Sequence, residues 1–183
     1  MNIEPADVRF PAEAGACDFS FEVNAQALPP FDGPTIKATR PLPPHRKTYN
    51  RELPDYRLHT GTDDRALLTV RDDARLLGYV AISRKWNDLA SVDDIAIDAS
   101  ARRAGAARKL IAASIDWAHS KGLRGVTAET QTNNLAACRF YENCGFTLGG
   151  SDRYLYAAID AHQHETALFW YLMFSPNLSS EQA

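Results

Sequence analysis

Apolar and polar positions alternate with two different periods along this chain. Ala66 to Val70 (ALLTV) and Arg75 to Arg84 (RLLGYVAISR) are short apolar runs on either side of Arg71-Asp72-Asp73-Ala74, the pattern of a β-hairpin. Trp86-Asn87-Asp88 is a polar interruption, and Leu89 to Asp98 predicts a third strand. The period then changes. From Ala104 to Lys121 the residues Leu110, Ile111, Ser114, Ile115 and Ala118 fall on one helical stripe, and Gly122 stands where a helix ends. Gly125 to Thr130 (GVTAET) predicts a strand. Strand, helix, strand in this order makes a right-handed crossover between two near-parallel strands. Asn133 or Asn134 caps a second helix that runs to about Cys144 and stops at Gly145. A further strand is expected around Arg153 to Ala157. Ala167 to Phe174 (ALFWYLMF) reads as a last strand, central or packed on both faces.

The N-terminal third has weaker periodicity. Val8-Arg9-Phe10 reads as a first strand, and Asp18 to Leu28 fits strand or helix equally. Pro29 to Pro54 holds seven prolines, which remove donors and fix φ, so it is expected to be irregular and surface-lying. It is either a substrate-side flap or an ordinary surface crossing. Residues from Pro176 read as a tail. No repeat or linker divides the chain, so one domain over 1–183 is expected, with 1–65 leading into a core at 66–174 and a tail at 175–183.

Bulk properties narrow the function classes. With 183 residues and 45% hydrophobic content, the chain can build a core without metals or disulfides. A net charge of −3 gives no reason to expect a nucleic-acid partner and suits a cationic small substrate. The cysteines are three, Cys17, Cys138 and Cys144. The odd count argues against a disulfide framework and for a reducing cytoplasm. With no run of about 18 apolar residues, neither a membrane span nor a secretory leader is expected. His162 and His164, followed by Glu165, form an H-x-H pair that reads as a polar strand entry. C-x-x-C and H-E-x-x-H are absent, and no metal is expected.

Two constellations carry candidate chemistry. In Ser91 to Arg108 (SVDDIAIDASARRAGAAR) a strand feeds a turn, Arg102-Arg103-Ala104-Gly105-Ala106-Ala107, that spells R-x-x-G-x-A and opens a helix. Backbone N–H groups at a helix N-terminus attract phosphate. Gly105 and its alanine neighbours keep that surface low, and Arg102, Arg103 and Arg108 add charge. Taken alone, an alanine-rich helix start explains the same residues. The turn is neither a P-loop nor a Rossmann fingerprint, which demand other glycine spacings. In the second constellation, Asn134, Ala137 and Tyr141 are spaced to share one helix face. That face carries an amide, a gap, and a phenol able to protonate a leaving group. A locally bonded buried tyrosine is the plainer alternative.

Together, the Ser91–Arg108 stretch and Thr130–Phe146 (TQTNNLAACRFYENCGF) resemble the GCN5-related N-acetyltransferase superfamily, in an element order that spans about Ala66 to Phe174. Trp86 to Ala90 (WNDLA), Glu129 to Asn134 (ETQTNN), Gly145 to Gly150 (GFTLGG) and Glu165-Thr166-Ala167 resemble its streptothricin (nourseothricin) acetyltransferase branch more narrowly. The resemblance implies an α/β (α+β) fold: a mixed, mostly antiparallel sheet splayed between two near-parallel central strands and flanked by helices. It implies acetyl-CoA as co-substrate. The pantetheine arm would bond the backbone of Ile95, Ala96 and Ile97. The pyrophosphate would sit on the amides of Arg103 to Arg108. Asn134 and Ala137 would flank the arm, and Tyr141 would be the general acid toward the thiolate. A carboxylate must take the amine's proton. Asp93 and Asp94 lead, with Glu129 on the neighbouring strand next. Simple alternation puts Asp93 and Asp94 on opposite faces unless a bulge intervenes. The implied acceptor is an amine of a streptothricin-type antibiotic, on its β-lysine moiety; another amine, or a non-catalytic acyl-CoA sensor, are the alternatives. By analogy with related folds, a homodimer through C-terminal strands is expected.

Overall fold

The structure, a computed structural model, describes residues 1–49, 52–159 and 165–175. In chain order the strands and helices are β1 (Asn2–Pro5), α1 (Phe10–Gly15), β2 (Phe21–Leu28), β3 (Ala38–Lys47), β4 (Arg65–Asp72), β5 (Arg75–Arg84), β6 (Ala90–Ile97), α2 (Ala106–Ser120), β7 (Gly125–Gln131), α3 (Leu135–Asn143), β8 (Thr147–Asp152) and β9 (Ala167–Met173). Seven strands form one sheet in the order β1-β4-β5-β6-β7-β9-β8, and β2 and β3 form a separate two-stranded ribbon. The one parallel pairing among these strands is β6 with β7. This is the α/β arrangement the sequence implied.

The hairpin β4–β5 follows from its apolar runs, with Asp73 at φ 50° making the turn. α2 buries Ala106, Leu110, Ile111, Ser114 and Ala118 against the sheet, the stripe read from the sequence, and ends at Gly122 with φ 66°. It starts two residues later than its periodicity suggested. Gly105 is its N-cap, in left-handed conformation, and Arg103 also has a positive φ. Residues 102 to 105 therefore form a turn outside the helix.

Packing splits into two clusters. The larger joins α2 and α3 to one sheet face around Ile82, Leu110, Val126, Leu168 and Trp170. The smaller lies on the other face, where Phe10 and Ala14 of α1 pack on Leu67, Leu76, Tyr79 and Ala81.

Three expectations need correction. Val8 to Phe10 is no strand: Val8 is exposed, whereas Phe10 is fully buried and begins α1. Pro11 explains this, since its fixed φ is preorganised for a first helical turn. The Pro-rich stretch is not irregular throughout, because β3 lies within it. β3 bonds to β2 alone, so Pro41, Pro43 and Pro44 sit in a ribbon with a free edge and a register shift, where missing donors are tolerated. Finally, the strand placed at Arg153 to Ala157 lies earlier, at Thr147–Asp152, and 153–158 is turn and bend. Gly149 decides this: a Cβ there would stand 2.4 Å from the Tyr171 ring of β9, so only glycine lets the strands approach. Asp152 then accepts from the Tyr154 N–H at 2.7 Å and turns the chain. His162, His164 and the tail from Pro176 lie outside the described residues.

Candidate active site

The sheet divides at its centre. β6 and β7 pair only through Ala90–Val126, Ser91–Thr127 and Val92–Ala128. Beyond Val92 each strand stays with its outer neighbour, β6 with β5 as far as Ile97 and β7 with β9 as far as Gln131. The gap between them is a V, and it opens into a cleft of about 1330 Å³.

One arm of the cleft is main chain. Asp98 N–H donates to Leu77 of β5 at 2.8 Å. Strand alternation then turns the backbone groups of Ile95 and Ile97 away from β5 and toward the gap, while those of Ala96 face β5. A row of unpaired amides inside a sheet is unfavourable unless something bonds it. Arg102 donates to Ile97 O at 3.1 Å through Nη2, so this guanidinium is folded back on the strand end. At the far end of the arm, α2 begins with no side-chain cap, which leaves its first amides for an anion. Arg102, Arg103, Gly105, Ala106, Ala107 and Arg108 border the cleft, whereas Ala104 does not. A Cβ on Gly105 would meet nothing within 4 Å. The glycine is there for its φ of 87°, and the space beside it is clear for a phosphate. Asp98 fixes the turn from below, accepting from Asp18 N–H at 2.9 Å and from Arg75 at 3.0 Å. Its bond from Ser100, with these, holds its carboxyl below the usual range.

α3 forms the floor. Asn134 is its N-cap, with Oδ1 accepting from Ala137 N–H at 3.1 Å, and its side-chain amide also meets the buried Tyr49 phenol. Asn134, Ala137 and Tyr141 all border the cleft. Tyr141 is 2% exposed and is packed by Phe140, Phe146 and Trp170. Burial pushes its phenol well above the ordinary tyrosine range, so the group carries its proton at neutral pH.

The other arm is made of side chains. A bulge does intervene between the two aspartates: Ala81 pairs with Asp94 and Ile82 with Val92, so Asp93 is the extra residue. Both carboxylates therefore turn to one side and border the cleft, together with Glu129 across the V. Two of these carboxylates, Asp94 and Glu129, each meet a phenol. Tyr79 of β5 donates to Asp94 Oδ2 at 2.6 Å, and Tyr156, in the turn after β8, donates to Glu129. Burial first, and then the neighbouring carboxylate, raises both phenols. Phe21 of β2 and Thr48 and Tyr49, just past the end of β3, close this side, and β9 contributes Phe169 and Tyr171. Behind Tyr49, Lys47 Nζ bonds Glu165 at 2.5 and 2.6 Å and Gln131 at 2.7 Å, and Asn133 donates to Glu165 at 2.9 Å. Both ends of this ion pair are nearly shielded, 9% and 12% exposed, and burial lowers the Lys47 ammonium despite its partner. Asp88 is a turn former, with φ 58° and an ion pair to Arg84. Among the aromatic residues in and beside the later strands, Trp170 is fully buried, Trp86 is 95% exposed at the cleft's lip, and Tyr156 and Tyr171 face the cleft.

Sequence reasoning missed Tyr79, Tyr49, and the Lys47–Glu165 pair. Nothing local marks them, because each acts on a residue far away in the chain. The Glu165-Thr166-Ala167 segment was the one available signal.

Among the described residues no helix is long and apolar enough to cross a membrane. The family model described as "Acetyltransferase (GNAT) family" matches residues 36–146. A streptothricin acetyltransferase from Escherichia coli is 38% identical over 134 residues, 73% of this chain and 74% of its own. Streptothricin acetyltransferase A of Bacillus subtilis (strain 168) is 35% identical over 98 residues, covering 54% of this chain and 56% of its own. Among solved structures, a protein of Bacillus anthracis str. Ames provisionally named a streptothricin acetyltransferase, in complex with acetyl coenzyme A, superposes with TM-score 0.84 at 28% identity, over 94% of this chain and 99% of that one. A nourseothricin acetyltransferase superposes with TM-score 0.76 at 26% identity, over 94% and 97%.

Proposed function

We propose, from the premise that this chain belongs to the GNAT acetyltransferase family and is an acetyl-CoA-dependent N-acetyltransferase, that its acceptor is an amine of a streptothricin-type antibiotic. Acetylation there would confer resistance, because it removes a positive charge from a cationic drug. The observation that carries the reading is a polarised cleft. Its main-chain arm ends among Arg102, Arg103 and Arg108, and its other arm presents Asp93, Asp94 and Glu129. The identity to the Escherichia coli streptothricin acetyltransferase supports the choice of acceptor.

Acetyl-CoA supplies an activated acetyl thioester. The chain's residues do the rest. Ile95 and Ile97 offer backbone bonds to the pantetheine arm, and the Asn134 amide adds another beside the space left by Ala137. The first amides of α2, with Arg103 and Arg108, hold the diphosphate. These contacts fix the donor and bring the acceptor into range. An alkyl ammonium has an ordinary pKa near 10, so a proton must leave before the nitrogen attacks. Asp93, Asp94 or Glu129 accepts it, directly or through water. Tyr141 donates its proton to the departing thiolate. Consumption of acetyl-CoA puts the reaction in the cytoplasm, and we infer neither a nucleic-acid nor a membrane partner. The β8 edge of the sheet is the surface through which two copies would pair.

The test is incubation with acetyl-CoA and streptothricin, following free thiol and the mass of the antibiotic. Stoichiometric thiol release with one added acetyl group is the expected result. Turnover of some other amine with none of streptothricin would overturn the acceptor assignment. Acetyl-CoA binding without turnover of any amine would make the protein a sensor.

A further inference from the structure

Asp94 does not act alone, and the residue that controls it sits on another strand. Tyr79 and Asp94 lie on the same face of the sheet, one step apart across the β5–β6 ladder, since Tyr79 pairs with Ala96 and Asp94 with Ala81. The methyl group of Ala81 leaves the diagonal between them open, and the phenol crosses it to Asp94 Oδ2 at 2.6 Å. The ring cannot swing away. It stands edge-on to Phe10 of α1 at 5.2 Å and to Phe19 at 5.3 Å, and it is 3% exposed. A phenol so enclosed needs a hydrogen-bond acceptor, and the bulge at Asp93 delivers one. Asp94 in turn stands where the main cleft meets a smaller pocket of about 420 Å³, lined by Glu52, His59 and Arg65.

We propose that Tyr79 is a positioning residue for acetyl transfer: its locked hydroxyl aims the Asp94 carboxylate into the acceptor side of the cleft and holds it as an anion. This rests on the reading that the acceptor amine binds beside Asp94, and it adds the group that sets that carboxylate's direction and charge. Hydrogen bonding to the charged form of a carboxyl favours that form. Tyr79 keeps its own proton at all working pH values, because burial and the Asp94 charge both raise it. It can therefore donate throughout, and it cannot itself become the base.

Several other titratable groups face Asp94. They are Asp93 on β6, Glu129 across the V, Tyr141 from α3, and Glu52, His59 and Arg65 around the smaller pocket. All of them remain when only the Tyr79 hydroxyl is removed, as does the acceptor's own titration. The ratio of variant to wild-type rate, followed against pH, isolates the phenol.

The experiment is Tyr79→Phe, which keeps the ring between Phe10 and Phe19. Turnover is measured from pH 5 to pH 9 with saturating acetyl-CoA, using whichever amine the wild-type enzyme acetylates. That choice separates failure of this inference from failure of the streptothricin assignment. Losing one donor raises the Asp94 carboxyl, so the variant loses activity progressively on the acid side. We expect a rate ratio about 1.7-fold lower at pH 5 than at pH 9, the effect of moving an ordinary aspartate carboxyl up by about one pH unit, with acetyl-CoA affinity unchanged. A ratio constant across pH, however small, assigns Tyr79 a packing role only and overturns the proposal. Should Tyr79→Phe fail to fold, Asp94→Glu, which carries the carboxylate off the phenol by one methylene, must show the same acid-side loss; a flat ratio there is equally fatal.

Discussion

From Ile95 to Arg108 the cleft is lined by main chain, small side chains and a helix terminus, all supplied by one continuous stretch. On the opposite arm it is lined by carboxylates and rings from β2, the segment after β3, β5, β6, β7, β9 and the turn after β8. In the proposed function the first arm recognises what every acyl-CoA shares, an amide-bearing chain and a diphosphate. Backbone groups and the arginines at the turn suffice for that, and the residues between them, Gly105, Ala106 and Ala107, need only stay small. The second arm must recognise one cation among many. That calls for charges held in fixed places, and these are fixed by partners from elsewhere, Asp94 by Tyr79 and Glu129 by Tyr156, while the Lys47–Glu165 pair braces the wall behind them. Generic recognition is local in the chain, and selective recognition is assembled over long range.

Substitutions can separate the arms. The largest effect is expected at their junction. Tyr141→Phe should lower kcat about a thousandfold and leave the acetyl-CoA Kd within about twofold, read by steady-state kinetics and calorimetry; equal loss in both would move Tyr141 from acid to scaffold. Lys47→Met leaves Glu165 without its buried ammonium and should cost about 3 kcal/mol of stability in urea unfolding. In the protein that remains folded, amine KM should rise and acetyl-CoA affinity should hold. Gly105→Val forces a β-branched residue to a φ of 87°. It should weaken acetyl-CoA about tenfold with amine KM unmoved. A parallel rise in amine KM would show that the two arms are one unit. The smallest effect is expected from Glu129→Gln, which keeps a polar partner for Tyr156 while removing the charge. An amine KM raised about threefold, shrinking as salt is added, is the expected signature of a partly exposed charge.

The same contrast explains what could be read before any fold was known. The arm proposed to hold the co-substrate was legible as a candidate because its parts are neighbours in sequence. Gly105, its alanines, and the Asn134–Ala137–Tyr141 spacing each carry their meaning within one or two turns of helix. The aspartates were legible as candidates, while their geometry was not. Whether Asp93 and Asp94 share a side depends on a bulge, and a bulge belongs to the register between two strands. Tyr79 is out of reach for the same reason: its hydroxyl has meaning only once β5 is laid beside β6. The missed β3 strand reflects a different competition. Proline density signalled a loop, and a ribbon with only one bonded neighbour accepted those prolines. The misplaced eighth strand came from weighing the alternating residues Arg153 to Ala157 over Gly149, whose absent side chain admits Tyr171.

The unpaired edge of β6 also sets a timescale. The amide protons of Ile95 and Ile97 lie in the middle of a seven-stranded sheet, yet on the V side no strand among the described residues shields them. In the empty enzyme they should exchange with deuterium like those of a border strand, while the amides of Val80 and Val126 nearby stay protected. When acetyl-CoA lies along that edge, the two protons should slow to the rate of their surroundings. Two backbone sites, with no label attached, would then count occupied molecules directly.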